Sequence, residues 1–248
     1  MQIEVCCYSL ADCHAAQQAG ADRIELCGGR SDGGLTPSIG LMQLAKAQTS
    51  LPIWVMIRPR GGDFVYDATE QAVMQADIEA MKQTNVDGFV LGCLNPDGTV
   101  NEPQTSHFVG YAHPMPVTFH RAFDLTRDPS EALEAIIRTG AVRILTSGQQ
   151  ITAEAGIDLL RLLTNQAAQR IEIMAGAGVN AQNATMLAQT GVDALHMSSQ
   201  QTTESPMQFR SSTVRMASVV QGEYERFATS EARLRRVHTA LAGAGLRP

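Results

Sequence analysis

Arg23-Ile24-Glu25-Leu26-Cys27 alternates apolar with polar or reactive residues, and that alternation decides the fold. Successive side chains of a strand point to opposite faces, so Ile24 and Leu26 go to one side while Glu25 and Cys27 go to the other. The same split recurs in Trp54-Val55-Met56-Ile57-Arg58, Val117-Thr118-Phe119-His120, Ile144-Leu145-Thr146-Ser147, Ile171-Glu172-Ile173-Met174 and Leu195-His196-Met197-Ser198. One phase of each run is apolar and suited to packing under helices. The other phase carries Glu25, Cys27, Arg58, His120, Ser147 and His196 to a common interior. Strands of this kind build a barrel with a pocket at one end.

Reading outward, strands are expected near 3–9, 22–27, 52–58, 88–93, 116–121, 142–147, 171–176 and 194–198. Helical patterns fall between them at about 11–19, 38–48, 68–82, 102–112, 129–138, 152–167 and 181–189. In 68–82, Val73, Ala76, Ile78, Ala80 and Met81 form an apolar face opposite Glu70, Gln75, Asp77, Glu79 and Lys82. Ser9, Thr36-Pro37, Asp128-Pro129 and Asn180 are start signals, and Gly20, Gly140 and Gly191 are stop signals. Eight βα units predict an α/β fold, a TIM-type (β/α)8 barrel spanning 1–248 as a single domain. The alternative, an open doubly wound sheet, lacks its Gly-rich fingerprint, because Tyr8-Ser9-Leu10-Ala11-Asp12 follows the first strand. No nucleotide cofactor is therefore expected. After Gln200 the rhythm breaks into a polar stretch, read as a long loop or lid over 200–229 before a closing helix at 230–243.

The 248 residues carry a formal net charge of −6 and no basic run, which argues against a nucleic-acid partner. No apolar stretch is long enough to span a bilayer, and the N-terminus enters a strand without the features of a signal peptide. No membrane partner and a cytoplasmic location are expected. The five cysteines fit neither a disulfide framework nor a zinc spacing.

Barrel active sites lie where the strands end, so His120-Arg121-Ala122-Phe123-Asp124 and Arg58-Pro59-Arg60-Gly61-Gly62-Asp63 are the leading blocks. Arg58 and Arg60, with Arg121 nearby, suit bidentate recognition of a carboxylate or phosphate. Alternatively, Arg58 pairs with Glu25 or Asp124 and braces the barrel. His120 has the range for proton transfer near neutrality, with Glu25 as its base or orienting partner and Asp124 as a further catalytic candidate. The Gly176–Asn180 loop, with Gly176 and Gly178, opens a helix beside Ser198 and His196 and is a second candidate anion site; Ser147 completes the substrate-binding set. Glu4, Arg23, Arg143 and Glu172 share the inward phase, which predicts a buried salt-bridge layer. Cys27 and Cys6 point inward with Met56 and Met174, a soft sulfur set suited to Cu(I), whereas Cys7 must face away.

Five ordered blocks, Arg23–Cys27, Gly33–Ser38, Met56–Phe64, Thr118–Asp124 and Arg143–Gly148, together resemble the copper homeostasis protein CutC family from residue 1 to about 200. The resemblance implies a TIM-type barrel, a cytoplasmic homo-oligomer with a dimer favoured, and a role in copper binding and copper tolerance. The shared blocks fall on Glu25, Cys27, Arg58, Arg60, His120, Arg121, Asp124 and Ser147. Most of these are Arg, Glu, His and Ser, which leaves a second expectation open: a barrel enzyme acting on a small anionic ligand.

Overall fold

A computed structural model describes residues 1–214 and 223–247. Eight parallel strands close into a barrel: β1 (Gln2–Cys7), β2 (Arg23–Leu26), β3 (Ile53–Met56), β4 (Gly88–Leu91), β5 (Val117–Phe119), β6 (Arg143–Thr146), β7 (Glu172–Ala175) and β8 (Ala194–Met197), with β8 hydrogen-bonded back to β1. The helices between them are α1 (Leu10–Gln18), α2 (Ile39–Gln48), α3 (Ala68–Lys82), α4 (Glu102–Ala112), α5 (Pro129–Thr139), α6 (Ile157–Ala167) and α7 (Ala184–Ala188).

Side-chain alternation divides the buried residues into two shells. Ile3, Val5, Ile24, Leu26, Val55, Phe89, Phe119, Ile144 and Leu195 face outward into a continuous core with the helices. The interior holds two small clusters instead, Cys6, Cys27, Trp54, Met56 and Val90 on one side and Leu145, Met174 and Ala194 on the other. Register places Glu4 beside Arg23 and also beside His196, and Arg143 beside Glu172. The expected layer of buried charge is therefore present: Glu4 pairs with Arg23, and Arg143 Nε donates to Glu172 Oε2 at 2.6 Å. Glu172 itself is half exposed, so only the Glu4 pair is fully removed from water.

Trp54 plugs the lower end, with the Arg23 guanidinium 4.0 Å and the Arg143 guanidinium 6.0 Å from its ring. Gly88, opposite Trp54 in the register, leaves room for the indole; a Cβ there would lie 2.4 Å from Trp54 Cδ2. Gly88→Ala is expected to cost about 1–3 kcal/mol in urea unfolding through overpacking, and Trp54→Leu in the same chain should return part of it. A Gly88→Ala protein as stable as the parent would contradict this packing.

Local chemistry sets the helix starts. Asp128 Oδ1 accepts from Glu131 N, with Pro129 in the first turn, and Asp67 and Glu70 form a capping box on α3. The second helix is capped by Ser38, whose Oγ accepts from Leu41 N, rather than at Thr36-Pro37. Helix α6 begins at Ile157, not near 152; Gly156 at its N-cap packs on the β6 loop so closely that a Cβ would sit 2.0 Å from Ser147 O. Asn180 stands before α7, but the helix begins later, with Asn183 at its N-cap.

The stretch expected as a long loop contains an antiparallel ribbon of β9 (Gln200–Glu204) and β10 (Glu225–Thr229); 215–222 lie outside the described residues. Thr229 N donates to Asp12 Oδ1 at 2.7 Å, and Phe227 stacks on Arg30, which also stacks on Tyr8. These contacts fasten the ribbon beside the barrel mouth. Helix α8 (Glu231–Gly243) follows and packs on α7 and α1. No helix among the described residues is long and apolar enough to cross a membrane.

Candidate functional site

At the carboxyl ends of the strands lies a cavity of about 280 Å³, whose walls include Cys6, Glu25, Arg58, His120, Arg121, Gly178, His196 and Ser198. Its floor is formed where β8 meets β1. Glu4, fully buried, bonds to Arg23 and to His196 Nδ1 at 2.7 Å, and the other imidazole nitrogen, Nε2, lies 3.7 Å from Glu25 Oε2. Cys6 Sγ is 3.8 Å from Cys27 Sγ, which in turn is 3.5 Å from Glu25 Oε2. Ligand atoms of Cys6, Glu25 and His196 all lie within 4.8 Å of one another.

Burial and mutual charge sort the protons of this cluster. Burial pushes Glu4 up, but Arg23 and His196 outweigh it and hold its carboxyl at about 2. Burial and the neighbouring Cys6 drive Glu25 well above the usual carboxylate range. His196 is raised despite burial, by Glu25, Cys6 and Glu4. The Cys27 contact lowers the Cys6 thiol against burial, with help from His196, while Cys27 is raised by Cys6 and by burial. A single imidazolium cannot stabilise three anions in a dry floor. These directions favour negative charge on Cys6, facing His196, over charge on Glu25 or Cys27.

His120 is built differently. Gly92 gives its ring room, since a Cβ there would lie 2.8 Å from Nδ1, and the Phe64 ring lies tilted against it with centroids 4.7 Å apart. Nδ1 accepts from Ala122 N at 3.2 Å and caps the short 3-10 helix Arg121–Leu125, so the ring proton resides on Nε2. Burial and the Arg58 charge bring its pKa down to about 3. Near neutrality His120 is therefore a neutral donor, not the expected titrating acid/base, and Glu25 meets His196 instead of His120.

Other expected residues are placed outside the cavity or are committed elsewhere. Arg58 pairs with neither Glu25 nor Asp124; its Nη groups donate to the backbone carbonyls of Asp32, Gly34 (3.0 Å) and Gly62 (2.8 Å). Arg60 leaves the interior to pair with Glu70 and Asp63, so it cannot clamp the same anion. Asp124 accepts from Arg121 Nε, Thr146 Oγ1, Ser147 N, Ser147 Oγ and Gln149 N, which fixes the loop and leaves no catalytic freedom. Ser147 is fully buried on Asp124 and reaches the cavity only through Arg121 Nη2 at 3.0 Å. Gly176 lies behind the wall, its Cβ space filled by Leu145 and His196. Cys27, two residues beyond Glu25 toward the mouth, does not line the cavity but packs beside Met56 against Gly34, while Cys7 faces the outer core, as its phase requires.

Ser199 lines the cavity beside Ser198; Tyr8 and Phe64 also line it and were not anticipated. Tyr8 follows Glu4 and Cys6 in the inward phase of β1, a signal that was readable. Phe64 arrives on an irregular loop, where no periodicity could place it.

The profile described as CutC family matches residues 1–201. The chain belongs to the CutC family. It is 46% identical to the family protein CutC of Bacteroides thetaiotaomicron over 236 residues, covering 94% of this chain and 95% of that protein. Against the human copper homeostasis protein cutC homolog it is 42% identical over 235 residues, 94% of this chain and 86% of that one. The crystal structure of a CutC protein from Streptococcus agalactiae superposes with a TM-score of 0.75 at 32% identity, covering 80% of this chain and 98% of that chain. CutC membership thus accounts for the barrel and for the ordered blocks that build its mouth.

Proposed function

We propose that this CutC-family protein binds Cu(I) as its cargo through Cys6 and Cys27 and serves copper homeostasis in the cytoplasm. The observation that carries the reading is the pair of buried thiol sulfurs 3.8 Å apart. Two metal–thiolate bonds of about 2.3 Å span separations up to about 4.6 Å, so one ion can bridge the pair without strand movement. The donors are soft: two cysteine sulfurs and the Met56 thioether beside them, with Val90 and Trp54 excluding water. His196 and Glu25 stand where they can orient the sulfurs or adjust their charge.

Titration of reduced protein with Cu(I) against a chromophoric chelator tests this. Cys27→Ser and Cys6→Ser are each expected to weaken binding by about a hundredfold or more. Because Cys27 is held as a thiol, binding should release about one proton and weaken as pH falls. Binding unchanged in both variants, or retention of Zn(II) in preference to Cu(I), would remove the proposal.

A further inference from the structure

Three polar atoms on residues of the cavity wall are buried without a hydrogen-bond partner: Glu25 Oε1, Arg58 Nε and His120 Nε2. An orphaned buried polar group costs about 1–3 kcal/mol, so a cluster of them around one opening points to an occupant that satisfies them. Their polarity defines the occupant. His120 Nε2 carries the ring proton because Nδ1 is already an acceptor, and Arg58 Nε–H can only donate. Both groups lie against the same ring, with the Arg58 guanidinium 4.8 Å and the His120 imidazole 4.7 Å from the centre of Phe64.

Charge narrows it further. Arg58 is only 6% exposed, and its described contacts are backbone carbonyls, an aromatic face and the neighbouring Tyr66 hydroxyl, with no carboxylate. A buried cation without a counter-ion favours a monoanion. Met56, Phe64, Leu145, Val179 and Met197 add apolar wall between further polar groups such as Tyr8, Arg121, Ser198 and Ser199, and the volume suits a small metabolite rather than a nucleotide. An organic molecule with one charged end fits these walls better than a fully hydrated inorganic oxyanion.

We propose that the mouth cavity binds a small organic carboxylate, its oxygens accepting from His120 Nε2–H and Arg58 Nε–H and its carbon skeleton lying against Phe64 and Met56. The site uses no sulfur ligand and does not depend on copper being bound.

The test is saturation-transfer NMR on metal-free protein with a panel of short aliphatic carboxylates, the matching primary amides and inorganic phosphate. At least one carboxylate is expected to bind saturably, its amide at least about tenfold more weakly, and phosphate more weakly than the carboxylate. His120→Phe, which removes the donor at similar size, should weaken carboxylate binding by about tenfold or more, the loss of one charge-assisted hydrogen bond. Absence of binding across the carboxylate panel, equal binding of amide or phosphate, or an unaffected His120→Phe protein would each overturn the proposal. Should that variant fail to fold, the carboxylate and amide comparison in the parent decides alone. Cu(I) titration of the parent reports separately on the thiol pair, so each reading fails on its own result.

Discussion

Glu4→Ala is expected to lower unfolding stability by about 3–5 kcal/mol, a large share of the roughly 5–15 kcal/mol that folded domains possess. Glu4 is wholly buried and is the carboxylate partner of Arg23, which is itself 4% exposed. Its removal leaves the guanidinium with the Trp54 face and the weak Met174 Sδ contact at 4.0 Å. Neither replaces an anion, so the damage is an uncompensated buried charge rather than a lost attraction. Removing both charges should be much milder: Glu4→Leu with Arg23→Met fills similar volume, and its loss is expected to be under half that of Glu4→Ala. The same substitution should lower the His196 pKa, followed by imidazole NMR, because one of the anions holding it up is gone. A Glu4→Ala loss below about 1 kcal/mol in urea would show that water reaches the layer.

The barrel could be read from sequence because closure and alternation are repetitive. Every interior residue obeys a period of two, so Cys6 and Cys7 are assigned to opposite shells, and Arg23 and Arg143 to the buried layer, by counting alone. Counting also gives Tyr8 once Cys6 is known to face inward. Neighbours around the barrel are less accessible. Glu25 was expected beside His120, five strands into the chain, but closure brings β8 against β1 and sets His196 next to Glu4 and Glu25.

Beyond the strand ends, the period soon fails. The regular part of β3 stops at Met56; Arg58 still keeps the inward phase and lines the cavity, but Arg60 turns out to Glu70. Asp124 illustrates a second difficulty. Its residue type suits catalysis, yet five donors from two loops converge on it and make it the clasp of the β5 and β6 ends. Such convergence depends on the three-dimensional path of irregular backbone, which composition does not encode locally.

Acid is expected to destabilise the protein through His120, and the sign follows from its environment. Its folded pKa is about 3, below the unfolded value of 6.5, so below pH 6.5 the unfolded chain binds a proton that the folded chain refuses. The His120 contribution to stability is therefore full above pH 6.5 and falls with decreasing pH, by about 1.4 kcal/mol per unit, until the folded pKa is reached. Over the roughly three and a half units between these values the loss approaches about 5 kcal/mol. His196 works in the opposite direction: its folded pKa is raised, so its contribution is present in acid and disappears only as pH climbs through that raised value. Glu4, lowered to about 2, adds acid lability only below its unfolded range near 4.5. The interval from about pH 6.5 to 5 thus isolates His120 from that carboxylate, and the raised Glu25, whose slope there is opposite, is common to parent and variant and drops out of their difference. His120→Asn removes the titration while its side-chain oxygen can still accept from Ala122 N. The stability difference between parent and variant, measured by urea unfolding across this interval, should change by about 1.4 kcal/mol per pH unit in the direction that favours the variant in acid. A pH-independent difference would mean that His120 titrates alike in both states, and with that the neutral Nε2–H donor assigned to the cavity would be lost.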